Sequence, residues 1–190
     1  AERRDELARI RATWLGVAGS TFLSVNDTEH ARRYFNRALR LTPKSAAILT
    51  LRGAADEIDG AVLNPDDVEN TVVRSRMVRE KVRLLQVAEL YYSRALDADP
   101  SYALAQIRMG RAYVILKRYR IAQDWLAKGA ANARAPSEKF LAAMFTGALQ
   151  DAQQNHEGAR ASFEQAAALA PRSQNAVVAL ADRKSTRLNS

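Results

Sequence analysis

The two histidines, His30 and His156, are the only imidazoles in the chain, and there is no cysteine. Disulfides, thiolate nucleophiles and Cys-based metal sites are therefore excluded. The histidines are far apart in the sequence and each falls at a turn. No carboxylate constellation lies beside either one, so turn or capping roles are expected rather than metal or acid–base work. The densest run of acids is Asp56-Glu57-Ile58-Asp59, followed by Gly60. It reads as a solvated helix end rather than a cation site. No glycine-rich phosphate loop, G-x-S-x-G or H-E-x-x-H pattern is present. The expectation is a protein without catalytic apparatus, cofactor or metal.

Basic residues are the other chemistry on offer. Arg74, Arg76, Arg79, Lys81 and Arg83 face Glu80 alone over ten positions. Such a run suits an acidic partner, an anionic membrane surface or nucleic acid. The competing reading is the solvated face of an extended helix. No aromatic residue interleaves with these cations, so stacking on bases is disfavoured.

The elements that must position these groups are helical. Apolar residues make up 47% of 190, enough for a core, while 8 Gly and 5 Pro leave few breaks. No apolar run approaches the roughly 20 residues that span a bilayer. Ala1-Glu2-Arg3-Arg4-Asp5 carries neither an initiator Met nor a signal-peptide pattern, which reads as an internal piece of a longer chain. A cytoplasmic or a periplasmic location fits equally.

At the other end, residues 182–190 resemble a translated sequencing adapter at all nine positions. On that reading the natural sequence is cut at Ala181. Removing Arg183, Lys184, Arg187 and Asp182 from the 29 basic and 21 acidic residues lowers the net charge from +8 to +6. That mild excess, together with an alanine- and arginine-rich bacterial composition, is not the footprint of a dedicated nucleic-acid binder.

Self-similarity organises the rest. Counting from Gly19, residues Ala31, Phe35, Ala38 and Pro43 fall at offsets of 12, 16, 19 and 24. Counting from Gly147, residues Ala159, Phe163, Ala166 and Pro171 fall at the same offsets. Gly110 begins a third unit with Ala122, Leu126 and Gly129; Arg134 stands where a Pro is expected, with Pro136 two residues on. Gly53 lies 34 residues after Gly19, but its second half, Ala88, Tyr92, Ala95 and Pro100, arrives 23 residues late. Small residues let paired helices approach, Phe35, Tyr92, Leu126 and Phe163 fill space toward the next repeat, and proline marks the end of each second helix.

This pattern resembles the tetratricopeptide repeat, a helix-turn-helix unit, over about residues 12–173. The family's Trp position falls on Leu15, Leu49, Gln106 and Ala143, with Trp14 one residue off. The resemblance implies an all-α, right-handed solenoid of antiparallel helix pairs. Repeats are expected at about 12–45, 46–102 with an insertion near 61–83, 103–136 and 140–173. A partial repeat at 174–181 would leave Val177, Val178 and Leu180 poorly covered. In the insertion, Asn64-Pro65-Asp66-Asp67 predicts a helix start, and the spacing of Val73, Met77, Leu84 and Ala88 predicts one helix over about 66–97, roughly 48 Å long.

The resemblance also implies function: a scaffold that binds a partner protein or peptide in a groove lined by the first helices. Two further expectations stand beside it, an accessory array of a larger enzyme or sensor, and an anionic-surface or nucleic-acid binder using residues 74–83. Carried across by frame, the groove is Thr13, Gly16 and Ser20, then Ala47, Thr50 and Ala54. It continues with Leu104, Ile107, Arg108 and Arg111, then Leu141, Met144, Phe145, Ala148 and Asp151. Arg108 and Arg111, at i and i+3 on one helical face, suit a carboxylate of an acidic partner. The competing reading is that Arg111 pairs with Asp151, and that Leu104, Ile107 and Met144 pack between repeats.

Overall fold

The computed structural model describes residues 2–171. They form eight α-helices and one 3-10 turn: α1 (Glu2–Ser24), α2 (Thr28–Leu41), α3 (Ala46–Val62), α4 (Thr71–Ala98), α5 (Ala103–Ile115), α6 (Tyr119–Asn132), α7 (Pro136–Ala152) and α8 (His156–Leu169), with the turn at Pro65–Asp67. The partial repeat at 174–181 and the nine-residue tail lie outside the described residues. Consecutive helices pair as hairpins, and the chain divides into two compact units, residues 1–100 and 101–190.

The repeat frame explains each hairpin. A Cβ placed on Gly19 would stand 2.5 Å from the Phe35 ring, and one on Gly147 would stand 2.6 Å from Phe163. Gly53 bears the same relation to Tyr92 at 2.7 Å, and Gly110 to Leu126 at 2.6 Å. Each large side chain thus presses on the glycine of its own hairpin, besides any reach toward the next. Phe35 makes both contacts, since it also packs with Ile48 of α3. The helices end at Leu41, Ala98 and Leu169, two residues before Pro43, Pro100 and Pro171.

The turns repeat as well. Asn26, Lys117 and Gln154 each adopt a left-handed conformation with φ near 60°. Each lies seven residues after its hairpin's glycine. Asp27 and Asn155 then cap the second helices, accepting from the backbone N–H of His30 and Gly158. The matching position in the second hairpin is Gly60. There α3 does not turn but continues to Val62, and Gly60 packs on Leu84 and Leu85.

The insertion differs from expectation. Asn64-Pro65-Asp66-Asp67 does not open the long helix. It forms the 3-10 turn, with Asn64 donating to Asp67 at 2.6 Å. The chain then leaves the helical region at Val68, and Asn70 is the true cap, its side chain accepting from Val72 and Val73 N–H at 3.0 and 3.1 Å. Asn64 caps nothing with its side chain, whereas Asn70 satisfies two otherwise orphaned donors. The helix α4 still has 28 residues against 14 in α2, about 42 Å at 1.5 Å per residue.

Unit 1 holds a second feature that the sequence hid. Asp56 and Glu57 are buried, not solvated at a helix end. Arg52 pairs with Asp56 one turn along α3 and takes Asn36 through its Nε at 3.0 Å. Arg32 of α2 reaches Asp59 at 2.5 Å and Asp56 at 3.4 Å. Thr28 donates to Asp59 at 2.7 Å, and the Tyr92 hydroxyl donates to Glu57. Buried charge costs free energy unless paired and hydrogen-bonded. These acids meet that condition because Arg32 and Thr28 arrive from α2 and Tyr92 from α4.

Candidate partner-binding site

In unit 2 the first helices α5 and α7 pack against each other. The Arg111 guanidinium lies over the Phe145 ring, 4.9 Å from its centroid. This fixes a cation on the face the two helices share, while the in-plane N–H groups of the fork remain geometrically suited to a carboxylate. Leu104, Arg108, Leu141 and Asp151 are half-buried on the same helices, and Ala148 is exposed. Ile107 departs from the expected groove. It is fully buried, and a Cβ on Gly129 of α6 would stand 2.6 Å from it. The small residue at 129 lets α6 close over that position, so Ile107 is core. Met144 is half-buried and packs toward Ala143 and Ala166, at the edge of the α7–α8 core.

In unit 1 the corresponding face is lined by Thr13, Gly16, Ser20, Ala47 and Leu51, around a shallow space of about 520 Å³. Thr50 and Ala54, expected beside Ala47, are buried instead. The hydroxyls of Thr13, Ser20 and Thr21 each donate to the carbonyl one turn back, at 3.0, 3.0 and 3.1 Å. Their hydrogens are thereby used, and the face offers lone pairs rather than donors.

The basic run is partly tied down. Arg74 donates to the Val68 carbonyl at 2.8 Å and Lys81 to the Leu63 carbonyl at 3.0 Å, so both stitch the insertion to α4. Arg83 forks onto Glu80 at 2.6 and 2.8 Å, which holds the Glu80 carboxyl below its usual range. Arg76 and Arg79 remain exposed, with no hydrogen-bond or ion-pair partner among the described residues. An arm of five cations is thus reduced to two open ones.

The histidines have local partners that spacing did not show. His30 Nδ1 lies 2.8 Å from the Asp27 carboxylate, and its ring stacks on Phe22 at 5.2 Å. The Asp27 carboxyl is held below its ordinary range, first by the His30 backbone N–H and then by the His30 side chain. His156 Nδ1 lies 3.5 Å from Asp151. Among the described residues no three His, Asp or Glu side chains group to hold a metal. No described helix is long and apolar enough to cross a membrane.

Residues 15–45 match the family model described as Tetratricopeptide repeat. The chain carries the tetratricopeptide-repeat fold. Its structure is similar to that of pilF of Pseudomonas aeruginosa, with a TM-score of 0.69 and 17% identity over 97% of this chain and 71% of that one. It is also similar to MamA protein, at a TM-score of 0.55 and 16% identity over 93% and 82% of the two chains. A thermophilic TPR protein of Thermus thermophilus gives 0.53 and 17% over 90% and 98%. No curated protein sequence matches significantly. In tetratricopeptide terms, each hairpin is one repeat. The Trp position of the third repeat is filled by buried Gln106, whose side-chain oxygen accepts from Asn132 at 2.9 Å.

Proposed function

We infer that this tetratricopeptide array is a protein-interaction scaffold, and that the α5–α7 face of unit 2 takes a segment of partner carrying a carboxylate beside an apolar side chain. The observation that carries this reading is Arg111 stacked on Phe145. Stacking removes much of the rotamer entropy that an arginine would otherwise lose on binding. Phe145 and the half-buried Leu104 supply apolar contact on either side of the cation. Arg108, three residues before Arg111 on the same helix, offers a second guanidinium on that face. A carboxylate placed there would make charge-assisted hydrogen bonds, the stronger kind.

Selection of peptides from a displayed random library by the full chain tests this. Enriched sequences are expected to carry Asp, Glu or a free C-terminus next to a large apolar residue. Arg111→Ala is expected to weaken the selected peptide on the order of tenfold to a hundredfold, and Phe145→Ala to a similar extent because it frees the guanidinium. Peptides without acidic preference, or binding indifferent to both variants, would remove the site from this face.

A further inference from the structure

Helix α1 is apolar on two opposite faces. Ala12, Gly16 and Gly19 are buried on one of them. On the other, Leu7, Ile10, Trp14 and Val17 are 60%, 49%, 71% and 54% exposed. Their spacing, three, four and three residues, is that of a coiled-coil seam, in which the side chains of one helix interlock with those of another. One repeat later, 34 residues on, Trp14 and Val17 correspond to Ile48 and Leu51. Those two are not open: Ile48 is buried and Leu51 packs against the same core, with α2 lying on α3. Within unit 1, then, the equivalent face of α3 is covered by a helix, and that of α1 is not.

The flanks of the seam say what would cover it. Arg11 lies on one side, next after Ile10, and Glu6 on the other, just before Leu7. Both are exposed, and neither has a hydrogen-bond or ion-pair partner among the described residues. In a parallel pair of identical helices, the residue before one seam position faces the residue five further along the other helix. Glu6 of each copy then meets Arg11 of the other, twice by symmetry. An antiparallel pair would instead set the two Arg11 guanidiniums against each other. We propose that α1 is a self-association face, on which a second copy of this chain docks its own α1 in parallel through Leu7, Ile10, Trp14 and Val17, with Glu6–Arg11 pairs setting the direction.

Four side chains per copy make a small interface, with Trp14 its largest part at roughly 150–250 Å² of aromatic surface. The total falls toward the low end of stable interfaces, so the dimer forms at micromolar rather than nanomolar concentration. The symmetric contact closes on itself and does not propagate into a fibre. It lies outside the α5–α7 face, so it stands or falls separately from the peptide-binding reading.

Sedimentation equilibrium of the full chain, from about 5 to 500 μM, reads the association directly. A monomer–dimer equilibrium is expected, and Trp14→Ser should weaken it by well over tenfold while leaving helix content by circular dichroism unchanged. Glu6→Arg and Arg11→Glu alone should each weaken it about tenfold, and the two together should restore it. A chain that stays monomeric over the whole range overturns the proposal, as does a dimer indifferent to Trp14→Ser. If Arg11→Glu alone strengthens association, the pairing is antiparallel and the proposed arrangement is wrong.

Discussion

Asp56→Ala is the sharpest perturbation of unit 1. Its side chain is 7% exposed and the side chain of its partner Arg52 is 10% exposed. Truncating one member of such a pair leaves the other buried without its counter-charge, at about 3–5 kcal/mol. Two features place the cost at the low end. Arg52 keeps its bond to Asn36 and its position over the Tyr91 ring, 4.6 Å from the centroid, while Arg32 keeps Asp59. The expectation is therefore about 3 kcal/mol, or roughly 6–12 °C in Tm for a chain of this size. Repeat arrays need not unfold in one step, so each unit should be followed by itself. Trp14 lies in unit 1 and Trp125 in unit 2. Urea titrations in Trp14→Phe and Trp125→Phe backgrounds thus separate the two, and the shift should appear in the Trp14 signal. Replacing both charges, as Arg52→Met with Asp56→Leu, should return stability to within about 1 kcal/mol of the parent, because no uncompensated charge remains. A loss below about 1 kcal/mol for Asp56→Ala, the range of a surface pair, would refute the reasoning.

Two further outcomes follow from the packing and the caps. Gly147→Ala should destabilise by about 1–3 kcal/mol despite alanine's better helix propensity, since the new methyl meets Phe163; Phe163→Leu in the same chain should recover much of it, as read by the Trp125 urea midpoint. The Asp27 carboxyl has its folded pKa depressed, so its capping contribution is full above the ordinary carboxylate range and is lost as pH falls through the lowered value. Asp27→Asn should flatten that acid-side dependence of the Trp14 urea midpoint, and an unchanged profile would assign the acid sensitivity elsewhere.

Much of the fold was legible because each repeat states its own contact chemistry. The Gly19–Phe35 and Gly147–Phe163 spacings carry it in the sequence, and the structure lays each ring on its glycine. Helix ends before Pro43 and Pro171 were equally local, since proline has no N–H to give. The insertion was read less well. Asn64 and Asn70 are both good caps, and only the chain path around Pro65–Asp67 selects the second. The candidate site was legible in part. Arg111 and Phe145 lie 34 residues apart, and the repeat frame brought them to one face, whereas Ile107 belongs to the core because of Gly129 on another helix.

By itself, the sequence determined what depends on neighbours along the chain: helix periodicity, small-residue spacing, caps and breaks. Only the tertiary structure decided what depends on partners brought from a distance. Asp56 and Glu57 look like solvated acids in isolation, and become buried because Arg32, Thr28 and Tyr92 come from other helices to satisfy the group. Trp14 looks like a core residue by type, and is exposed because no described helix covers the face of α1 that α2 covers on α3. Burial is a property of what packs against a residue, and that is not written at the residue itself.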